Sequence, residues 1–328
     1  MKSKQLPVFK VNPENGVNNE YPTSKYAFRQ PCLWYISAVR NSGKSFLASK
    51  FLAQAKKDST FDKIYIITPS FKSNEAYFGK YINEEDVYEP TKESISQVIS
   101  EVERDRDEWE NYLKEVEAYK EFKELLKSKK GLKNMDDDLI MMYDELGFLE
   151  GKPEWKYKTI EPPKSLLIMD DVLGSPAILQ SSGLTKIATL NRHIAPLQEN
   201  HKGRSACGLA VIILSQSYRM QNGISRSLRE NLSLFTLFKN KQPKQLEAIK
   251  EELGSVVDID KFEKSYEYAY SYDSIFFSYD SNSYDCFEQK NQSNLTIDFK
   301  PKCDTLTFRK NLNEAIIFDD QVCECKKK

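Results

Sequence analysis

The chain has 328 residues, 40% hydrophobic and 30% charged, which is enough apolar material for one substantial core and too much for disorder throughout. A formal net charge of -1 excludes any global attraction to nucleic acid, so contact with a phosphate backbone has to come from a local basic patch or from several copies acting together. The longest apolar runs, Leu166 to Met169 and Leu209 to Leu214, fall far short of the ~20 residues a bilayer span requires, so no membrane partner is expected.

Residues 1–30 mix Lys, Asn, Pro and Tyr without the apolar core of a secretion signal, and read as an N-terminal extension to one domain covering 31–328. A reducing compartment follows, and Cys32, Cys207, Cys286, Cys303, Cys323 and Cys325 are expected as free thiols. Cys323-Glu-Cys325 is a lone C-x-C with no second pair of ligands, a weak metal signal.

Leu33-Trp-Tyr-Ile-Ser37 is a strand-length apolar run that leads into a polar turn, and Phe46 to Ala55 then has helical spacing. Asp62 to Thr68 has the β-branched and aromatic content of a buried strand. Leu166 to Met169, Leu209 to Leu214 and Leu232 to Phe238 are further strands, with helical stretches at Leu184 to Arg192 and Ile224 to Arg229. This alternation predicts an α/β fold whose mostly parallel sheet is covered by helices on both faces.

Between the second and third strands, residues 91–159 turn sharply toward Glu, Lys, Asp and Arg and read as a charged helical insertion. Trp109, Tyr112, Leu113, Val116, Tyr119, Phe122 and Leu126 recur at three- and four-residue steps, one apolar stripe that needs a partner. A solvated helical hairpin packed on the sheet domain is the expected form, with a DNA-contacting arm as the other reading. Toward the C-terminus, Pro243 to Leu253 reads as a helix. Ile275 to Tyr279 and Leu295 to Phe299 read as a β-hairpin closing the sheet edge.

Ala38-Val39-Arg40-Asn41-Ser42-Gly43-Lys44-Ser45 lies between a predicted strand and a predicted helix, the setting a phosphate-binding loop requires. Successive backbone N–H groups at a helix N-terminus surround a phosphate there, and Gly43 permits the close approach. Lys44 is placed to bridge β- and γ-phosphate oxygens, and the Ser45 hydroxyl to ligate Mg²⁺. Leu166-Leu-Ile-Met-Asp170-Asp171 is a Walker B pattern, four apolar residues ending in two carboxylates. At the end of a buried parallel strand, Asp170 holds Mg²⁺ and Asp171 orients or deprotonates the attacking water. Gln216, closing the run Leu209 to Ser215, carries an amide that can sense the γ-phosphate. ATP and Mg²⁺ are therefore the expected cofactors.

The set Ala38 to Ser45, Leu166 to Asp171, Asn191-Arg192-His193, Ile212 to Gln216 and Ile224-Ser-Arg-Ser-Leu-Arg229-Glu-Asn231, in this order, resembles the FtsK/HerA superfamily. It looks closest to the genome-packaging ATPases of large DNA viruses and virophages, over about residues 33–238. The resemblance implies a RecA-like additional-strand P-loop NTPase, in which a strand separates the phosphate-loop strand from the Walker B strand; residues 62–68 are available for that place. It also implies a homo-oligomeric ring that threads double-stranded DNA into a preformed capsid, meets a capsid or portal protein, and works in the host cytoplasm, a viral factory or the virion. Arg192, in the family's Arg-His pattern, and Arg229, in its Arg-x-Asn pattern, become candidates for an arginine that completes a neighbour's site. His193 is expected to be structural. The chain departs from the family at Ala38, at Asp171 where a Glu is usual, and in the polar insert Leu197 to Ser205.

Three other readings compete. Asp171-Val-Leu-Gly174 fits a GTPase switch, but Asn240-Lys241-Gln-Pro243 lacks the carboxylate that reads guanine. A helicase or conjugative pump would share the chemistry and differ in partner. A nucleotide-binding scaffold without efficient hydrolysis would not need Asp171.

Overall fold

The computed structural model of the chain describes residues 19, 21, 30–38, 43–216, 218, 226–238, 243–253, 259–260, 263, 274–278 and 305–309. It opens with β1 (Leu33–Ser37), buried at every position, and α1 (Lys44–Lys57). Gly43 stands before α1 with φ 98°, a backbone angle that L side chains rarely adopt, so glycine is what lets the loop turn into the helix here. Next come β2 (Lys63–Ile67), α2 (Phe71–Phe78), β3 (Val87–Tyr88), the 35-residue α3 (Ser94–Ser128) and α4 (Asp137–Glu145). β4 (Ser165–Asp170) is again wholly buried, and α5 (Pro176–Leu179), α6 (Ser182–Leu190) and a 3₁₀ turn at Asn191–His193 follow it. β5 (Pro196–His201), β6 (Arg204–Ala206), β7 (Leu209–Ser215), α7 (Arg226–Glu230), β8 (Leu234–Phe238) and α8 (Pro243–Leu253) lead to β9 (Ser274–Ser278) and β10 (Thr305–Arg309).

One sheet runs β3-β2-β4-β7-β1-β8-β10-β9, and its first six strands are parallel. This is the RecA-like additional-strand arrangement. The strand between β1 and β4 is β7, however, while residues 62–68 form β2 on the far side of β4. That corrects the expected placement of 62–68, and burial explains it. All seven residues of β7 are buried, whereas Lys63 and Ile64 of β2 are only half-buried, so the more continuous apolar strand takes the centre.

Strand pleat divides the core in two. Leu33, Tyr35, Leu167, Met169, Val211 and Ile213 face one layer, built by Ile95, Val98, Ile99 and Val102 of α3 and Leu184, Ile187 and Ala188 of α6. Trp34, Ile36, Leu166, Ile168, Ile212 and Leu214 face the other, covered by Leu47, Ala48, Phe51 and Leu52 of α1 and Phe78 of α2. Each such side chain taken from water stabilises the fold by about 1.5–3 kcal/mol before entropy is charged against it. α6 lies so close to α3 that a Cβ on Gly183 would meet the Ile95 side chain at 2.8 Å.

Of the expected C-terminal hairpin, only the first strand falls among the described residues, as β9. β10 pairs antiparallel with β8, and β9 pairs parallel with β10, so the two edge strands cannot be joined by a tight turn. Residues 295–299 lie outside the described residues. Among the described residues, a hairpin is formed by β5 and β6, within the segment read as a polar insert. Its two-residue turn, Lys202-Gly203, has φ of 49° and 85°, the paired positive angles that suit a tight hairpin.

α3 is rooted on the sheet and then leaves it. Asp105, buried on α3, accepts hydrogen bonds from Lys156 Nζ at 2.6 Å and Tyr157 Oη at 2.8 Å, and Glu110 Oε1 accepts from the Gln198 backbone N–H at 2.7 Å. Farther along, Phe122 joins Met135 and Phe148 in a separate small core with Tyr119, Ile140 and Tyr143. The apolar stripe of α3 is therefore covered in part by the insertion's own return. Among the described residues, no helix is long and apolar enough to cross a membrane.

Candidate functional site

Parallel strands bring their carboxyl ends to one edge of the sheet, and there β1, β4 and β7 each deliver a polar residue. Lys44, at the first position of α1 and almost wholly buried, forms a short ion pair with Asp171 Oδ1. Gln216 Nε2 donates to Asp171 Oδ2 at 2.9 Å. The Asp171 backbone N–H donates to Leu214 O at 3.1 Å, which extends the β4–β7 ladder one residue beyond Asp170. Asp171 itself has φ 53°, a left-handed conformation that costs a non-glycine residue of order 1 kcal/mol or more and turns its carboxylate toward Lys44.

Asp170 is 1% exposed. Its Oδ2 accepts from Asn74 Nδ2 at 2.6 Å, while its Oδ1 is buried with no hydrogen-bond partner among the described residues. Burial pushes the Asp170 carboxyl up to about 6, Lys44 pulls against that, and Asp171 adds to the rise. A buried carboxylate oxygen with no donor is costly unless something cationic meets it, and a hard divalent cation suits such an oxygen, with Ser45 at the second position of α1 as the expected further ligand. At the amino end of α1, no acidic residue occupies the first turn and no side chain caps the helix, so its free N–H groups and dipole favour an anion. The residues present therefore fit a Mg²⁺–triphosphate.

Ala38 is buried, and its N–H donates to Ser215 O at 3.0 Å, which ties the start of the loop to β7. Val39, Arg40, Asn41 and Ser42 lie outside the described residues. Arg192 is not brought to this edge. It sits on the 3₁₀ turn where Asn191 Nδ2 donates to Leu209 O, at the amino end of β7, roughly 20 Å of strand away from Ser215. Arg229 belongs to α7, and its charge is felt at Tyr35, whose phenol is raised by burial and lowered by a hydrogen bond with Ser215 and by Arg229. His193 Nδ1 meets Asn19 Nδ2 at 3.1 Å, a structural bond.

Asn74 was not foreseen. It stands on α2, ninety-six positions before Asp170, and only the neighbouring of β2 and β4 brings the two together. The sequence does hold a faint sign of it: Thr68 to Asn74 is a polar stretch at the carboxyl end of a strand, where ligand-facing residues of parallel sheets gather.

No family model matches the chain, and no curated protein matches it. Among solved structures, it is similar to EssC (ATPases 2 and 3) from Geobacillus thermodenitrificans, at 12% identity and a TM-score of 0.39, over 75% of this chain and 42% of that one. It is also similar to B204, the DNA-packaging ATPase from Sulfolobus Turreted Icosahedral Virus, at 13% identity and a TM-score of 0.34, over 67% of this chain and 82% of that one. The pCW3 conjugation coupling protein TcpA gives 13% identity and a TM-score of 0.35, over 66% of this chain and 51% of that one. The chain thus spans less than half the length of the EssC structure, and these low values bear on neither its substrate nor its partners.

Proposed function

We propose that this chain is a Mg²⁺-dependent ATPase that moves double-stranded DNA, working as a homo-oligomeric ring that packages viral DNA into a preformed capsid. One observation carries the enzymatic part of this reading: Lys44, Asp170, Asp171 and Gln216, from three separate stretches of sequence, meet at one sheet edge with a buried Asp170 oxygen left free. The DNA motor and the packaging role are supported by the ordered motif set alone.

Bound Mg²⁺ and ATP would supply the phosphoanhydride and neutralise its charge. Ser45 Oγ and Asp170 Oδ1 would hold the metal, and the Lys44 ammonium would sit against the β- and γ-phosphate oxygens, with the N–H groups at the amino end of α1 beside them. Asp171 orients the attacking water and accepts its proton. Gln216 holds Asp171 by one N–H, and exchange of that bond for a phosphate oxygen links the state of the nucleotide to the position of the base. Arg192 and Arg229 are the two candidates for an arginine that completes a neighbour's site, and the distance of the Arg192 turn from Ser215 supports action on another subunit for Arg192.

The test is ATP turnover with and without a DNA duplex. Stimulation by the duplex supports the motor, and turnover indifferent to DNA in every oligomeric state discards it. Arg192→Ala and Arg229→Ala subunits mixed with Lys44→Ala subunits test the shared site, because a site built from two chains regains hydrolysis in such mixtures.

A further inference from the structure

The tip of the insertion carries more apolar surface than its own small core uses. In α4, Ile140 and Tyr143 pack on Phe122, Met135 and Phe148. Leu139, Met142 and Leu146 follow each other at three- and four-residue steps on an adjoining strip of α4 and its C-cap, and are 38%, 43% and 51% exposed. Leu146 also walls a cleft of 710 Å³ between α3 and the segment 146–160, with Tyr112, Trp155 and Ile160 among its other walls. Here the Tyr112 and Trp155 rings lie 5.3 Å apart, tilted by 32°.

Charge says what kind of molecule fits. The cleft is lined by Glu115, Glu150 and Glu154 against Lys152. Residues 127–158 around it hold seven carboxylates and seven lysines, so the acidic character belongs to the cleft and not to the tip as a whole. The cleft wall, with three carboxylates against one lysine, is locally acidic. It attracts cations, and the aromatic walls suit them: Lys156 Nζ already lies 5.7 Å from the Trp155 ring centroid and 5.0 Å from that of Tyr157. Met141 and Met142 add side chains that adapt to varied apolar partners.

We propose that the α4 strip and the acidic aromatic cleft together form a docking surface for a basic amphipathic segment of a partner protein. Its apolar residues cover Leu139, Met142 and Leu146, and its Lys or Arg side chains enter between Glu115, Glu150 and Glu154. The inference stands apart from the ATPase reading, since none of these residues approaches Lys44 or Asp170.

Two labelled helical peptides of about 18 residues serve as probes, one of Leu and Lys with Leu on one face, the other with Glu in place of Lys. Anisotropy on the full chain should show binding of the Lys peptide and at least about tenfold weaker binding of the Glu peptide. The triple variant Glu115→Lys, Glu150→Lys, Glu154→Lys should reverse that preference, and Met142→Ser with Leu146→Ser should weaken both peptides with ATP turnover unchanged. Reversal by charge exchange is an outcome that misfolding does not produce. Equal binding of the two peptides or an unchanged preference in the triple variant would overturn the proposal. So would a shift in sedimentation of the Ser variants alone, which would assign the strip to a second copy of the chain.

Discussion

The two ends of the same parallel strands are built on different terms. At the amino ends, charges are matched to fixed backbone groups: Arg204 donates to Pro162 O at 3.2 Å and Cys207 O at 2.7 Å and lies 4.6 Å from the Tyr21 ring, while Asp62 Oδ2 accepts from the Lys164 N–H at 3.0 Å. At the carboxyl ends, Lys44, Asp170 and Asp171 are matched through side chains alone, with the Asp170 Oδ1 oxygen unmet. Among the described residues, buried atoms without partners occur at both ends, Thr60 Oγ1, Ser165 Oγ and Arg204 Nε toward the amino ends and Asp170 Oδ1 at the carboxyl ends, so the difference lies in what each charge leans on: two backbone carbonyls and an aromatic face for Arg204, one side-chain amide for Asp170. The difference teaches that the first end rests on fixed backbone partners and the second on side chains that can change partner.

Each end can be broken without the other. Lys44→Ala should lower ATP turnover about a thousandfold or more with an unchanged far-UV spectrum, because the phosphate-facing charge is lost and the fold is not. Arg204→Met should do the converse: it leaves Pro162 O and Cys207 O unpaired, so denaturant unfolding should show a loss of about 3 kcal/mol with turnover per folded molecule retained. Asp170→Asn sharpens the contrast. A folded-state value of about 6, above the usual 3.8, means that ionised Asp170 weakens the fold increasingly as pH rises from about 4 through 6. The Asn variant, free of Mg²⁺ and nucleotide, should therefore be more stable by about 2–3 kcal/mol at pH 7.5, with the gain fading toward pH 4. Asn74→Ala is the mildest. Loss of the donor to Oδ2 frees the Asp170 carboxyl to rotate, so the Mg²⁺ concentration needed for nucleotide binding should rise about tenfold while binding without Mg²⁺ is unaffected.

Local order in the molecule was legible and lateral order was not. Lys44, Asp170 and Asp171 could be placed because each sits where an apolar run ends in polar residues, a signal contained within a few positions. Nothing local says that β7 enters between β1 and β4, or that β2 lies outside them, since every strand of a buried parallel sheet reads as an apolar run. Asn74 was missed for the same reason, its role being created by which strand neighbours β4. β5, with the sequence Pro-Leu-Gln-Glu-Asn-His, is largely exposed and has no apolar alternation to betray it; Lys202-Gly203 was its one signal. The stripe from Trp109 to Phe122 was read correctly as apolar, but its partners, Phe148 and Tyr143 among them, lie beyond a break in the helical pattern.

α3 extends for about 50 Å, at 1.5 Å per residue, from a root where Gly183 admits Ile95 at contact distance. Geometry makes it a boom. A tilt of about 5° at that root displaces the far tip by roughly 4 Å, so a single methyl group added at Gly183 would steer whatever is carried there.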